Sequence, residues 1–186
     1  MNDFEERVTE TRGIPLEHIK SIVKINSNSP SGLMWLPRKK HGNQKDNCGY
    51  VIILNKKNGY RGWVVNILYN KKQCLPLCSR IIFLLANGYL TKGKEIDHID
   101  GNPLNNRVEN LREATSSQNS CNAKTQKNNT SGHKGILWDK KREKWLVRIT
   151  LEKKHFYLGR YENLEEAIQV VMSERARLHG EFGRDK

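Results

Sequence analysis

The sequence predicts an α+β fold built from small modules rather than from one large domain. Three observations carry this. Strand-like runs rich in β-branched and aromatic residues gather in two separate stretches, segments of helical periodicity follow them, and the charge changes sign from part to part. With 186 residues, of which 36% are hydrophobic, the chain can fill only modest cores. The expected organisation is an N-terminal helix and β-rich region over 1–88, a central strand, loop, strand and helix over 89–122, a linker over 123–131, and a sheet-and-helix module over 132–186.

The elements follow in order. After a polar start, "GIPLEHIKSIV" has Pro15 in a first-turn position and Leu16, Ile19 and Val23 at helical spacing, which makes a short amphipathic helix. "SGLMWL", "GYVIILN" and "GWVVNILYN" read as strands, with turn chemistry in the Lys-Lys-Asn-Gly at 56–59 and the Asn-Lys-Lys at 70–72. Trp35 and Trp63 read as core residues. "SRIIFLLANG" reads as a helix from Ser79 to Asn87 closed by Gly88. Cys74 and Cys78 stand in a C-x-x-x-C spacing with no second close pair, so no structural zinc is expected. No run of about 18 apolar residues occurs and the first ten residues are acidic, so neither membrane insertion nor export is expected and the cytoplasm is the expected location.

Charge divides the chain in the same way. The net charge is +13; residues 1–93 carry 15 Lys/Arg against 6 Asp/Glu, residues 94–122 carry 3 against 5, and residues 123–186 carry 15 against 9. Basic flanks around an acidic centre suit a protein that grips a polyanion on both sides of a site where a cation sits. A merely solubilising basic surface fits the same counts, so the motifs must decide.

The acidic centre is "EIDHIDGNPLNNRVENLREATSSQN", Glu95 to Asn119. "KEIDHI" is a short strand, "DGNPLNN" a loop by its Gly, Pro and Asn content, and Thr115 a good N-cap for a helix running to Asn122. The order strand, loop, strand, helix brings Asp97 and His98 near Asn119, with Asn110 approaching from the segment between. A carboxylate and an amide oxygen are hard ligands of the kind Mg²⁺ accepts while keeping several waters, and a neutral histidine beside them can take a proton from an attacking water. Asn102, Asn105 and Asn106 read as loop formers. Arg107 and Arg112 read as phosphate contacts or as neutralisers of the nearby acids.

This stretch resembles the HNH (His-Me finger, ββα-metal) endonucleases in their phage and intron-encoded form. In that family an Asp-His pair is followed by an Asn about twelve residues after the His and by a further Asn or His about nine later. Asp97-His98, Asn110 and Asn119 match position for position. The resemblance implies that His98 is the general base, that Asp97 and Asn119 hold a divalent metal, and that Asn110 braces the loop and orients His98. Mg²⁺ is the implied ion, with Mn²⁺ as the alternative.

The last part contains "KWLVRITL", in which Trp145, Val147, Ile149 and Leu151 alternate with Lys144, Leu146, Arg148 and Thr150, and "HFYLG", in which Phe156 and Leu158 alternate with His155 and Tyr157. "NLEEAIQVVMSERARLHG" puts Leu164, Ala167, Ile168, Val171 and Leu178 on one helical stripe ended by Gly180. Such a helix covers the apolar face of the sheet and leaves the polar face bare. Residues 123–160 hold 11 basic and 3 acidic residues, whereas residues 161–186 hold 4 and 6, so the basic charge lies with the sheet.

The stretch "SGHKGILWDKKREKWLVRITLEKKHFYLGRYENLEEA" resembles the ethylene-response-factor (Apetala-type) DNA-binding domain, in which a three-stranded antiparallel sheet packed on one helix enters the major groove. The resemblance places Lys134, Lys144, Arg148, Thr150, His155 and Tyr157 toward DNA. It departs from the plant pattern at Leu137, Asp139 and Thr150, where arginines are usual, so the plant base specificity does not carry over.

Together these features imply a metal-dependent endonuclease of the homing or phage type that hydrolyses phosphodiester bonds in double-stranded DNA, as a nickase or a double-strand cutter. No membrane and no obligate protein partner is implied, and a phage-encoded chain would work in the host cytoplasm. The alternative is a non-catalytic DNA-binding regulator using the same modules. An RNA-binding module is a third reading, against which the HNH text stands.

Overall fold

The computed structural model describes residues 5–37, 48–123, 125, 129–152 and 154–183. The chain divides into two compact units, Met1–Glu113 and Ala114–Lys186. Of the expected linker, residues 124 and 126–128 lie outside the described residues.

The first unit opens with β1 (Arg7–Val8), β2 (Glu10–Thr11), β3 (Ile14–Pro15) and α1 (Leu16–Ile22). Pro15, with extended backbone, caps α1, and the helix buries Leu16 and Ile19. Val23, expected on the same helical stripe, is buried but begins β4 (Val23–Ile25), which pairs antiparallel with β5 (Leu33–Trp35). Next come β6 (Tyr50–Asn55) and β7 (Tyr60–Val64), joined through the expected Lys-Lys-Asn-Gly turn, then β8 (Ile67–Tyr69) and β9 (Lys72–Cys74). Asn70 and Lys71 both take positive φ, 48° and 61°, which is the conformation a two-residue hairpin turn needs. The run "GWVVNILYN" is therefore two strands. Val64 forms an isolated bridge with Leu77 and the Val65 N–H donates to the Pro76 oxygen at 3.2 Å, so the chain changes partners between β7 and β8.

Helix α2 (Cys78–Asn87) supplies the centre of this unit, burying Cys78, Ile81, Ile82 and Leu84. Gly88, at φ 80°, closes it by donating its N–H to Leu84. These side chains join Ile14, Ile19, Leu33, Val65, Ile67 and Leu90 in one core, with Trp35 and Trp63 packed against its edge. Cys48 lies in the same core, and burial pushes its thiol up to about 12; burial, then neighbouring Cys48, also raises Cys78. All four cysteines are free.

From α2 the chain runs through β10 (Leu90–Thr91), which pairs with β1, to β11 (Glu95–His98) and β12 (Leu111–Ala114), which pair with each other. Two tethers fix this hairpin to the core. The Arg80 guanidinium on α2 donates to the Lys94 oxygen at 3.2 Å, just ahead of β11. On β12, the Glu113 carboxylate accepts from the Thr91 hydroxyl at 2.6 Å and from the Thr91 N–H.

The second unit contains α3 (Ser116–Asn122), the antiparallel sheet β13 (Ile136–Asp139), β14 (Lys144–Leu151) and β15 (Lys154–Tyr161) in that order, and α4 (Leu164–His179). Thr115 caps α3 in a full capping box with Gln118, as the sequence led one to expect of Thr115. Ile136, Val147 and Ile149 from the sheet and Ala167 and Val171 from α4 form the core, with Leu164, Ile168 and Leu178 packed around it. Gly135, at φ 79°, is required here, since an added Cβ would lie 2.4 Å from the Arg148 oxygen. The regular alternation expected of "HFYLG" is broken. Val147 pairs with Gly159 and Arg148 with Tyr157, so Leu158 is the extra residue of a bulge, and Phe156 is exposed.

Candidate active site

Strand β11 carries Asp97 and His98 into the protein rather than onto its surface. Asp97 is 3% and His98 7% exposed. The Asp97 Oδ2 accepts from Arg112 Nε at 3.0 Å across the strand pair, and both side chains are largely buried. Of the two roles open to Arg112, the one observed is neutralisation of an acid. The His98 Nε2 lies 3.0 Å from Asn106 Oδ1, and the Asn106 Nδ2 donates to the Ser31 main-chain oxygen at 3.0 Å.

The loop after His98 is closed by amides. Asn110, buried at the end of a 3-10 turn (Val108–Asn110), accepts from the Asp100 N–H with Oδ1 at 3.0 Å. Its Nδ2 donates to Asp100 Oδ1 at 3.0 Å and to the Asn105 oxygen at 2.8 Å, while its main-chain oxygen accepts from the Ile99 N–H. Asp100 takes further hydrogen bonds from the Asn102 N–H and from Asn105 Nδ2, both at 2.7 Å. Partial burial opposes its ionisation, but the hydrogen bonds from Asn105, Asn102 and Asn110 outweigh burial and hold the carboxyl below the usual range. Asn110 thus binds both ends of the loop that follows His98. The structure unites Asp97, His98 and Asn110 in the first unit.

Asn119 stands on α3 in the second unit, where its N–H donates to the Thr115 oxygen. Two residues near β11 carried no sequence signal. Asn106 sits in an Asn-Asn pair that any turn would accommodate, and its partner Ser31 is 75 positions away. Tyr60 on β7 feels burial first and then the negative charge of Asp97 and Glu95, all of which raise its phenol; only spatial proximity reveals this.

In the second unit the cross-strand pairs Arg148–Tyr157 and Thr150–His155 place those four expected residues on one sheet face, and the Thr150 hydroxyl lies 2.9 Å from His155 Nδ1. Lys144 pairs with Glu162 at 3.1 Å. The Lys134 ammonium donates to the Cys121 oxygen at the end of α3. Leu137 lies opposite Leu146, and Asp139 accepts from Arg160 and Arg142. A groove of about 760 Å³ is lined by Ser117, Ser120, Lys134, Arg148, Thr150 and His179. Burial lowers the His179 imidazole, which faces the Thr150 oxygen.

A family model described as HNH endonuclease matches residues 77–121, the segment from the start of α2 to Cys121 that includes Asp97, His98, Asn110 and Asn119. The chain thus carries an HNH endonuclease domain over these residues. "Protein 3.8" of Escherichia phage T7 is 49% identical over 100 residues, covering 53% of this chain and 81% of that protein, and the chain belongs to its family. No solved structure matches. Among the described residues no helix is long and apolar enough to cross a membrane.

Proposed function

We propose that the chain is a metal-dependent DNA endonuclease of the His-Me finger type, in which His98 removes a proton from the water that attacks phosphorus. The observation that supports it best is the buried Asp97-His98 pair on β11, ahead of a loop that Asn110 ties at both ends, inside the segment matched to HNH endonucleases. Burial and fixation matter because a general base works only when held within reach of the proton it takes.

The donor set fits a hard divalent cation. Asp97 and Asn119 would hold it, one through a carboxylate and one through an amide oxygen, leaving several positions to water and substrate phosphate; Mg²⁺ suits this best, with Mn²⁺ as the alternative. When bound, the ion supplies charge stabilisation at the leaving 3′ oxygen. Asp97 would offer a ligand oxygen, Arg112 holds the Asp97 side chain through Oδ2, and Asn110 ties the loop that follows His98.

In this reading the second unit docks on double-stranded DNA through the sheet face of Arg148, Thr150, His155 and Tyr157, in the manner of the Apetala-type domains. Its support is the order β13, β14, β15 packed on α4 and the cross-strand pairing of those four residues. One observation favours the alternative of a binding protein without cleavage: Asp97 Oδ2 is already engaged by Arg112.

The deciding experiment is single-turnover cleavage of supercoiled plasmid with Mg²⁺, with and without chelator. Wild type should nick or cut only with the ion, and His98→Ala should lower the rate by about 10² to 10⁴ with DNA affinity unchanged. Wild-type binding without any cleavage would leave the regulator reading; His98→Ala cutting at the native rate would remove His98 as base.

A further inference from the structure

We propose that Asn106 is the positioning residue that sets the tautomer of His98, acting as a clamp anchored in the N-terminal β-rich region. The catalytic meaning of this clamp rests on the reading of His98 as base.

The argument begins at Ser31. A main-chain carbonyl oxygen can only accept, so the Asn106 group that meets the Ser31 oxygen at 3.0 Å must be its NH₂. The amide oxygen therefore faces the ring, 3.0 Å from His98 Nε2. An amide oxygen also only accepts. It follows that Nε2 carries the hydrogen, and that in the neutral ring Nδ1 is the nitrogen able to take a proton.

The anchor is built rather than incidental. Ser31 is fully buried, its hydroxyl accepts from the Leu33 N–H at 3.3 Å and lies 3.2 Å from the Cys48 oxygen, and His98 and Asn106 are 7% and 5% exposed. Turning such an amide would bring like atoms together at both ends of a buried side chain, which costs about the full penalty of two unsatisfied buried groups. Gly32 permits the approach. Its φ is 82°, and a Cβ there would lie 2.6 Å from Ile82 Cδ1 and 3.2 Å from Asn106 Cβ. The turn that offers the Ser31 oxygen is pressed between α2 and the loop after His98, which gives the N-terminal region a role in the site. Asn110 holds the loop's backbone; Asn106 holds the ring.

The test uses the full chain as wild type, Asn106→Ala, Asn106→Asp and His98→Ala. Imidazole ¹⁵N spectra of the folded proteins without metal, at about pH 8 where an ordinary histidine ring is neutral, read the tautomer, and His98→Ala identifies the His98 signals. Wild type should show the Nε2–H form, Asn106→Ala a mixture, and Asn106→Asp the Nε2–H form again, since a carboxylate still accepts from Nε2. Both variants lose the bond to Ser31, so a purely structural role predicts equal damage. Single-turnover cleavage should instead fall about 10- to 100-fold in Asn106→Ala, the range usual for groups that orient a functional histidine, and recover most of that in Asn106→Asp. A wild-type Nδ1–H ring, an Asn106→Ala protein with native tautomer and rate, or equal losses in the two variants would overturn the clamp. Should Asn106→Ala fail to fold, the wild-type and Asn106→Asp spectra still decide. A His98→Ala protein that cuts at the native rate would overturn the base reading, and with it the clamp's role in catalysis, while leaving the tautomer standing.

Discussion

Replacing Arg112 by methionine tests whether the Asp97 carboxylate depends on the strand-to-strand ion pair. The two side chains are 12% and 4% exposed and meet at 3.0 Å, so solvent screens the pair little. Removing one partner leaves a charge inside the protein without its main counter-charge, which costs about 3–5 kcal/mol, a large part of the stability of an ordinary domain. Removing both charges costs far less than the sum, because nothing is left to neutralise. Urea unfolding of wild type, Arg112→Met, Asp97→Asn and the double variant measures this as a coupling energy. We expect Arg112→Met to lose about 3–5 kcal/mol and the double variant to recover at least about 2 kcal/mol of the summed single losses. Cleavage should stay absent in the double variant, since stability returns without the ligand oxygen. Additivity within about 0.5 kcal/mol, or a loss below about 1 kcal/mol for Arg112→Met, would refute the buried-pair argument.

Three further outcomes are expected. Asn119→Ala should abolish Mg²⁺-dependent cleavage while plasmid binding, measured by gel shift, stays within about twofold of wild type, because the residue supplies a neutral ligand oxygen and no grip on phosphate. Arg148→Gln should weaken DNA binding and make the slope of log K against log salt shallower by about one, the signature of one lost phosphate contact; an unchanged slope would take Arg148 off the DNA. Asp100 has a folded value below its ordinary one, so the stability it contributes is present above the ordinary carboxylate range of about 3.9 and is lost as pH falls through the lower folded value. Wild type should therefore lose stability relative to Asp100→Asn on acidification below about pH 4, read as the shift in urea midpoint.

Much of the local structure was legible because its causes are local. Gly88 and Thr115 each act within one turn, and they end α2 and begin α3 at the positions the residues imply. Asn70 and Lys71 likewise make their own turn. Where partners lie far away in sequence the reading fails. Nothing in "GWVVNILYN" announces that Val65 will bond to Pro76, and nothing in "HFYLG" announces that pairing with β14 skips Leu158. The site shows the same division. Asp97, His98 and Asn110 stand out through the resemblance to the HNH pattern, but the ion pair to Arg112 depends on how β11 meets β12, and the bond from Asn106 to Ser31 reaches across 75 positions. The bond from the Lys134 ammonium to the Cys121 oxygen is likewise a tertiary fact that the motif does not announce.

The amide-rich island of the sequence has a physical reason that the hydrogen bonds make specific. A loop that supports a histidine beside a phosphate polyanion needs many donors and acceptors to hold its backbone, yet each charge added there alters the field at the reacting group. Asparagine meets both needs, since it donates and accepts while remaining neutral. Asn102 accepts from the Leu104 N–H, Asn105 donates to Asp100, Asn110 joins Asp100 to the Asn105 oxygen, and Asn106 bridges His98 and Ser31. Aspartate at Asn106 would lose the donor to Ser31, and at Asn110 the donors to Asp100 and Asn105. Each change would also add a negative charge to a segment that already carries 5 acidic against 3 basic residues. Two acids of the segment are met nearby: Asp97 by Arg112, and Asp100 by three amide or N–H donors. Neutral amides carry the architecture, which leaves the charge of the site to the carboxylate that would meet a cation.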